Sequence, residues 1–293
     1  MIKRRSFGDN VLDIFIYMTL GITAIITLLP LLNVFSKAFS ADWAVMSGSV
    51  SIFPIDFQFD AMSYVLKSKE FLNSLKISVF VTLVGTALSI LMTAITAYPL
   101  SKKNLYGVKA MLLLYVFTMM FGGGLIPTYL VMKMIGLVNK LSVLIIPAMI
   151  NVFNMLVIKN YYESLPESLE ESAKLDGASN AYILFKIILP LSKPVLATIS
   201  LFYAVGFWND YFTPMIYISK PELRPLQVYL RDAISQLSEN EINRQQTFDE
   251  AQHIAPESVR AATIVASTVP ILLSYPYLQK YFIKGVLIGS VKG

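Results

Sequence analysis

The sequence predicts an all-α membrane protein that crosses a bilayer six times. Hydrophobic residues make up 55% of the chain and charged residues only 15%, with a mean hydropathy of +0.61, a balance outside the range of soluble domains. Apolar segments near 11–35, 77–100, 110–132, 141–158, 195–218 and 261–282 each approach the roughly 20 residues that cross about 30 Å of hydrocarbon. The lysines and arginines also gather at alternate ends of those segments, which sets an orientation.

Residues 1–10 form a basic cytoplasmic start with Lys3, Arg4 and Arg5. They resemble the opening of a signal peptide, but the apolar stretch that follows is too long. Leu28-Leu29-Pro30-Leu31-Leu32 runs on without a small-residue cleavage site, so 11–35 is read as a retained span. The polar stretch from Lys37 to Phe71, broken by Pro54, then lies outside. Lys102, Lys103 and Lys109 join the second and third segments and place that turn in the cytoplasm. The third segment is interrupted by Gly122-Gly123-Gly124 and Pro127. Broken backbone at membrane depth needs protein or a water-filled cavity around it, so Thr128–Gly136 is expected as a short separate helix near the outer face; a plain kinked helix is the alternative.

Residues 163–194, between the fourth and fifth spans, carry a pattern of their own. Pro166 suits a first helical position, and Glu167 and Glu170 put negative charge in the first turn, where the helix dipole favours it. Leu169, Ser172, Ala173 and Asp176 follow at helical spacing, and Gly177 supplies a stop. Ser179 can cap a second helix with Tyr182, Phe185, Ile188 and Leu189, which Pro190 ends. The loop reads as helix, glycine elbow, helix. Ser172, Ala173, Gly177 and Ala178 are small there, so another surface can come close.

The loop at 219–260 holds at least as many acidic as basic residues and falls outside, whereas Lys280, Lys284 and Lys292 return the end of the chain to the cytoplasm. This topology puts 163–194 in the cytoplasm too.

Catalytic chemistry finds little support. There is no cysteine and a single histidine, His253, so thiolate and histidine-cluster metal sites are excluded. No GxxxxGK[ST] loop, GxSxG elbow or HExxH pair occurs. The net charge of +5 shows no basic run with interleaved aromatics, which argues against nucleic acid as a partner. Asp210, in FWNDYF at 207–212, is the one carboxylate well inside a span. Either Asn209 and Asp210 line a polar pathway, with Trp208 or Tyr211 offering a flat face to a sugar ring, or Asp210 bonds a neighbouring helix and fixes packing. Asn151 and Asn154 are weaker pathway candidates, better suited to helix–helix hydrogen bonds.

Glu171-Ser172-Ala173, Gly177, Ile187, Leu189 and Pro190 match the spacing of the EAA loop of ATP-binding-cassette importer permeases, with Ser172 in place of the first alanine. The likeness extends to GGGLIPTYL at 122–130, FWNDYFTP at 207–214 and the YFIKGVLIGSVKG ending at 281–293. Together these resemble carbohydrate importer permeases of the maltose type, in the branch for lipoprotein-linked and polysaccharide-derived oligosaccharides. That resemblance implies the type I importer fold in a bacterial cytoplasmic membrane. It also implies a second homologous permease, two ATPase subunits that bind ATP and magnesium, and an extracytoplasmic sugar-binding protein. Glu171, Ser172, Ala173, Asp176, Gly177, Ala178, Ile187, Leu189 and Pro190 would dock a coupling helix on the ATPase. Gly289, Ser290, Val291, Lys292 and Gly293 would touch it as a C-terminal tail, and 219–260 would reach the binding protein.

No cofactor is expected in this chain itself. An ion-coupled carrier is the competing class, but such carriers show inverted repeats and several intramembrane ionisable groups, and here there is one. A polyol phosphate or other non-sugar solute is the other alternative. An acidic glycan would sit awkwardly beside Asp210.

Overall fold

The computed structural model describes residues 7–102, 104–243 and 254–290. Helix α1 spans Phe7–Ala38, α2 Asp42–Met46, α3 Asp60–Lys67 and α4 Lys69–Leu100. Next come α5 (Val108–Met120), α6 (Leu125–Met134), α7 (Ser142–Ile145) and α8 (Val152–Glu163). Then follow α9 (Ser168–Leu175), α10 (Asn180–Ile183), α11 (Leu189–Leu191), α12 (Lys193–Asn209) and α13 (Phe212–Tyr217). Helices α14 (Leu226–Asn243) and α15 (Pro256–Ser290) complete the chain. Among the described residues there is no strand, only an isolated bridge between Ser40 and Phe57.

Among the described residues two helices, Val11–Ala38 and Lys69–Leu100, are long and apolar enough to cross a membrane unaided, and up to five segments are if each bent pair is one span. Apolar side chains of α1 are exposed from Val11 to Phe35, as suits a helix whose solvent is lipid. Its threonine hydroxyls are satisfied internally: Thr19, Thr23 and Thr27 each donate to the carbonyl four residues back at 2.8–2.9 Å.

The chain divides into two compact units. In the first, Met1–Phe71 with Leu230–Pro270, Asn33 Nδ2 donates to the Ser51 carbonyl at 2.8 Å and Ser36 Oγ donates to that of Ile52. Asp42 accepts from Ala255 N–H at 2.9 Å and Ser258 Oγ at 2.8 Å, which seats the start of α15 beside α2. Lys37 and Glu257 pair at 3.3 Å.

In the second unit, Leu72–Tyr229 with Ile271–Gly293, one apolar core joins Val81 and Ala97 of α4, Met155 and Ile158 of α8, Ile183, and Ile199 and Tyr203 of α12. A helical Gly85 lets α4 approach closely: a Cβ there would lie 2.9 Å from the Phe207 ring. The expected spans differ from the observed helices in three places. The third is two helices at 114°, so the plain kink fails, and the short helix is Leu125–Met134 rather than Thr128–Gly136. The fourth is broken at 149–151, with a 46° bend between 142–148 and 152–163. The fifth ends at Asn209, and α13 resumes after Asp210 and Tyr211. Sequence windows of about 20 residues average over such breaks. At the fourth break Tyr203 and Thr93 bond the backbone from other helices, and after the fifth Asp210 does so locally.

Candidate functional site

The loop at 163–194 is built from local signals that act in turn. The N–H groups of Glu170 and Glu171 both donate to the Glu167 carbonyl, at 3.0 and 3.1 Å, so the first turn of α9 begins at Glu167. The helix proper starts at Ser168, two residues beyond the expected Pro166. At the far end Gly177 takes φ +82°, which costs an L side chain about 1–2 kcal/mol. The N–H of Gly177 bonds the Lys174 carbonyl at 3.0 Å, and that of Ala178 reaches Ala173 at 2.9 Å. These two bonds are the Schellman closure. Ser179 Oγ then accepts from Tyr182 N–H at 3.3 Å and starts α10.

Pro190 does not stop this second helix. Residues Leu184–Ile188 form a wider π-turn, α11 carries the chain through Pro190, and the turn comes at Ser192, with 83° between 180–191 and 193–209. Proline has no N–H to place in the ladder, and the π-turn re-registers the bonds just before it.

One side of the two-helix loop is bound to the core. Ala173, Ile183, Leu184 and Ile188 are buried, and Leu189 and Ile187 pack partly against the same cluster. The other side is open: Glu171, Ser172, Asp176, Gly177 and Pro190 are exposed, and Leu175 at 89% is an apolar side chain standing out at the tip. Around the elbow lies a groove of about 550 Å³ walled by Ala173, Gly177, Ala178, Ser179 and Tyr182. A larger cleft of about 940 Å³ opens between α9 and the end of α4, with Tyr98, Lys102, Glu167, Glu170, Glu171 and Lys174 in its walls. Lys102 pairs with Glu170 there and sits 4.5 Å from the centre of the Tyr98 ring.

Asp210 requires correction. It is half-buried at the break after α12, not inside a continuous helix, and its Oδ1 accepts from Thr213 N–H at 3.1 Å at the start of α13. A carboxylate suits that place because the first amides of a helix lack partners. Trp208 is buried, so its ring is covered, while Asn209 and Tyr211 are exposed on either side of Asp210. Asn154 is 6% exposed. Its N–H donates to Asn151 Oδ1 at 3.1 Å, so Asn151 is the cap of α8, and among the described residues the Asn154 side chain makes no helix–helix bond. Gly289 and Ser290 lie in the last turn of α15, and Val291, Lys292 and Gly293 lie outside the described residues. Also among the described residues, no group of His, Cys, Asp or Glu could hold a metal ion.

Three features escaped the sequence reading. Tyr203 Oη accepts from Asn151 N–H at 2.9 Å and shares a 2.7 Å bond with Thr93, which pins the fourth-span break to α4 and α12. Asn139, at φ +60°, donates to the Tyr217 carbonyl and accepts from Ser219 N–H at 2.6 Å, tying the turn after α6 to the end of α13. Its position three residues after Gly136 is a turn signal that could have been read. The Lys102–Glu170 pair joins residues 68 apart and leaves no local trace.

The sequence profile of the binding-protein-dependent transport system inner membrane component matches residues 2–288. Protein LplC of Bacillus subtilis (strain 168) is 45% identical, across 98% of this chain and 96% of that protein. The polygalacturonan/rhamnogalacturonan transport system permease protein YtcP of the same organism is 42% identical, across 97% and 99%. A chain in the crystal structure of a bacterial ABC transporter involved in the import of the acidic polysaccharide alginate superposes with a TM-score of 0.87. It is 36% identical, with 95% of this chain and 99% of that one covered.

Proposed function

This chain belongs to the binding-protein-dependent transport system inner membrane components, and we propose that it is one of two permease subunits in an ATP-driven importer of oligosaccharides. It is a transport permease and not an enzyme. The observation that carries the substrate class is the whole-length likeness to a polygalacturonan/rhamnogalacturonan permease and to a chain of an alginate importer. The partners are a second, homologous permease, two ATP-binding-cassette ATPases that supply the hydrolysis, and an extracytoplasmic binding protein that delivers the sugar. Both ends of the chain face the cytoplasm, as the Lys and Arg distribution favours.

The two-helix loop is the coupling element. Its inner side is fixed in the core while Glu171, Ser172, Asp176, Gly177 and Leu175 are left open, so it offers a firm, exposed knob to the ATPase. Closure of the ATPase dimer on ATP moves the knob as a rigid body, and the spans alternate between outward and inward openings. The tail at 289–293 adds a second contact. On the sugar side, Asn209 and Tyr211 are the pathway candidates, and Trp208 serves packing. The carboxylate of Asp210 is held by the Thr213 amide, which lessens the objection to acidic glycans, so these belong among the candidate substrates.

The test is uptake in proteoliposomes holding both permeases, the ATPases and the loaded binding protein. Uptake should require ATP and fall in Glu171→Ala and Gly177→Pro, the latter because proline cannot adopt φ +82°. Uptake that persists without the ATPases would overturn the reading in favour of an ion-coupled carrier.

A further inference from the structure

The side chain of Glu170 is only 14% exposed although α9 is otherwise open apart from Ala173. Its partner Lys102 lies just past the end of α4, 32% exposed, with its ammonium over the Tyr98 ring. That ring meets Tyr162 of α8 edge-on, with centroids 6.4 Å apart at 74°. Ser101 Oγ donates to the Tyr98 carbonyl at 2.7 Å and closes the last turn of α4. A cation set over one aromatic ring and paired to a partly buried carboxylate is held more closely than a surface ion pair. This ion pair ties the two-helix loop to the end of α4.

Helix α4 continues from this pair to Thr93, whose hydroxyl is within 2.7 Å of Tyr203 Oη and donates to the Met149 carbonyl at 3.3 Å. Tyr203 Oη accepts the Asn151 amide. One helix, α4, therefore has the loop's ion pair just past its end. Further along it holds the polar contacts at the fourth-span break.

We propose that Lys102 and Glu170 are a positioning pair for transport: they lock α9 to the end of α4, so that a displacement imposed on α9 by the ATPase reaches the break at 149–151. The proposal rests on the reading of the two-helix loop as the coupling element. A loosely tied α9 would absorb the stroke, and ATP would be hydrolysed without moving the spans. A physical path of this kind is established only by showing that its members are coupled.

The experiment uses the full reconstituted importer with Lys102→Glu, Glu170→Lys and the double exchange. ATPase retention, ATP turnover and uptake are measured together. Each single variant should keep the ATPase and continue to hydrolyse ATP, while sugar imported per ATP falls by about five-fold or more, the low end of couplings between sites. The double exchange should recover most of it. Should a charge reversal prevent assembly, Lys102→Gln removes the charge but keeps most of the stem over Tyr98, and Lys102→Arg should behave as the parent. Parent-like stoichiometry in the single variants, a double exchange no better than the worse single, or lost assembly in Lys102→Gln as well would each overturn the proposal. Failure of the underlying reading has a different signature: Gly177→Pro in the same preparation would leave ATP-driven uptake intact.

Discussion

Replacing Tyr203 with phenylalanine tests whether the fourth-span break is held by one hydroxyl. Tyr203 is 5% exposed and its ring stacks near Phe207, with centroids 6.5 Å apart; phenylalanine keeps both features. Only the oxygen is lost, and with it the 2.9 Å bond from Asn151 N–H and the 2.7 Å bond to Thr93. Thr93 retains an acceptor in the Met149 carbonyl at 3.3 Å, but the Asn151 amide is left without this partner. Hydrogen bonds between membrane helices average about 0.6 kcal/mol each, and Asn151 is itself exposed, so its freed amide does not add the cost of a buried orphan. Two such bonds set the size, and Tyr203→Phe should lose about 1 kcal/mol, roughly 5-fold in the folded fraction. Thr93→Val leaves the Asn151–Tyr203 bond in place but removes the bonds to Tyr203 Oη and the Met149 carbonyl, so it too should cost about 1 kcal/mol. Unfolding of the purified complex in a denaturing detergent series measures both. If Tyr203→Phe matches the parent, the hydroxyl does not hold the break.

Gly85→Ala would place a methyl 2.9 Å from the Phe207 ring and should destabilise by about 1–3 kcal/mol in a thermal melt, whereas Gly206→Ala, with nothing within 4 Å, should not. Asp210→Asn keeps an acceptor for the Thr213 amide and should assemble like the parent, while Asp210→Ala should lose about 1 kcal/mol; if the asparagine variant loses as much assembled complex as the alanine one, the carboxylate serves a charged partner instead. With no native cysteine to interfere, Lys220→Cys should react with an impermeant thiol reagent added outside and Ser179→Cys should not; the opposite pattern would invert the topology and remove the loop from the ATPase.

The features legible in the sequence were those written within a few residues. Gly177 as a stop and Ser179 as a cap each depend on one side chain and its neighbours, and the structure gives φ +82° and the Tyr182 bond at those places. Asp210 was misread because hydropathy treats 195–218 as one run, yet α12 stops at Asn209 and its successor is started by that same aspartate. A similar signal stood unread at Asn151, four residues after Pro147, where the side chain caps α8. Pro190 misled in the other direction, since a π-turn lets the helix pass it. The Lys102–Glu170 and Thr93–Tyr203 contacts join residues 68 and 110 apart, and no local rule anticipates which distant polar groups meet.

The breaks also differ in how their backbone is served, and the difference bears on where the transport path runs. At 149–151 Tyr203 and Thr93 reach the loosened backbone from other helices, and at 210–213 Asp210 does so from within the break. The break between α5 and α6 has less cover: among the described residues its one side-chain bond to the backbone is from Thr128 Oγ1 to the Gly124 carbonyl at 2.7 Å. Residues 121–128 are all exposed, and a Cβ built on Gly122 or Gly123 would meet nothing within 4 Å. Hydrocarbon cannot satisfy an open stretch of amides and carbonyls at the cost of several kcal/mol per group. In the assembled importer this stretch must therefore face something polar, which is either the second permease or the water of the pathway. Three consecutive glycines serve that end, because they let a partner backbone or a sugar approach the main chain directly. A 114° turn in the span then presents that main chain where a straight helix would have hidden it.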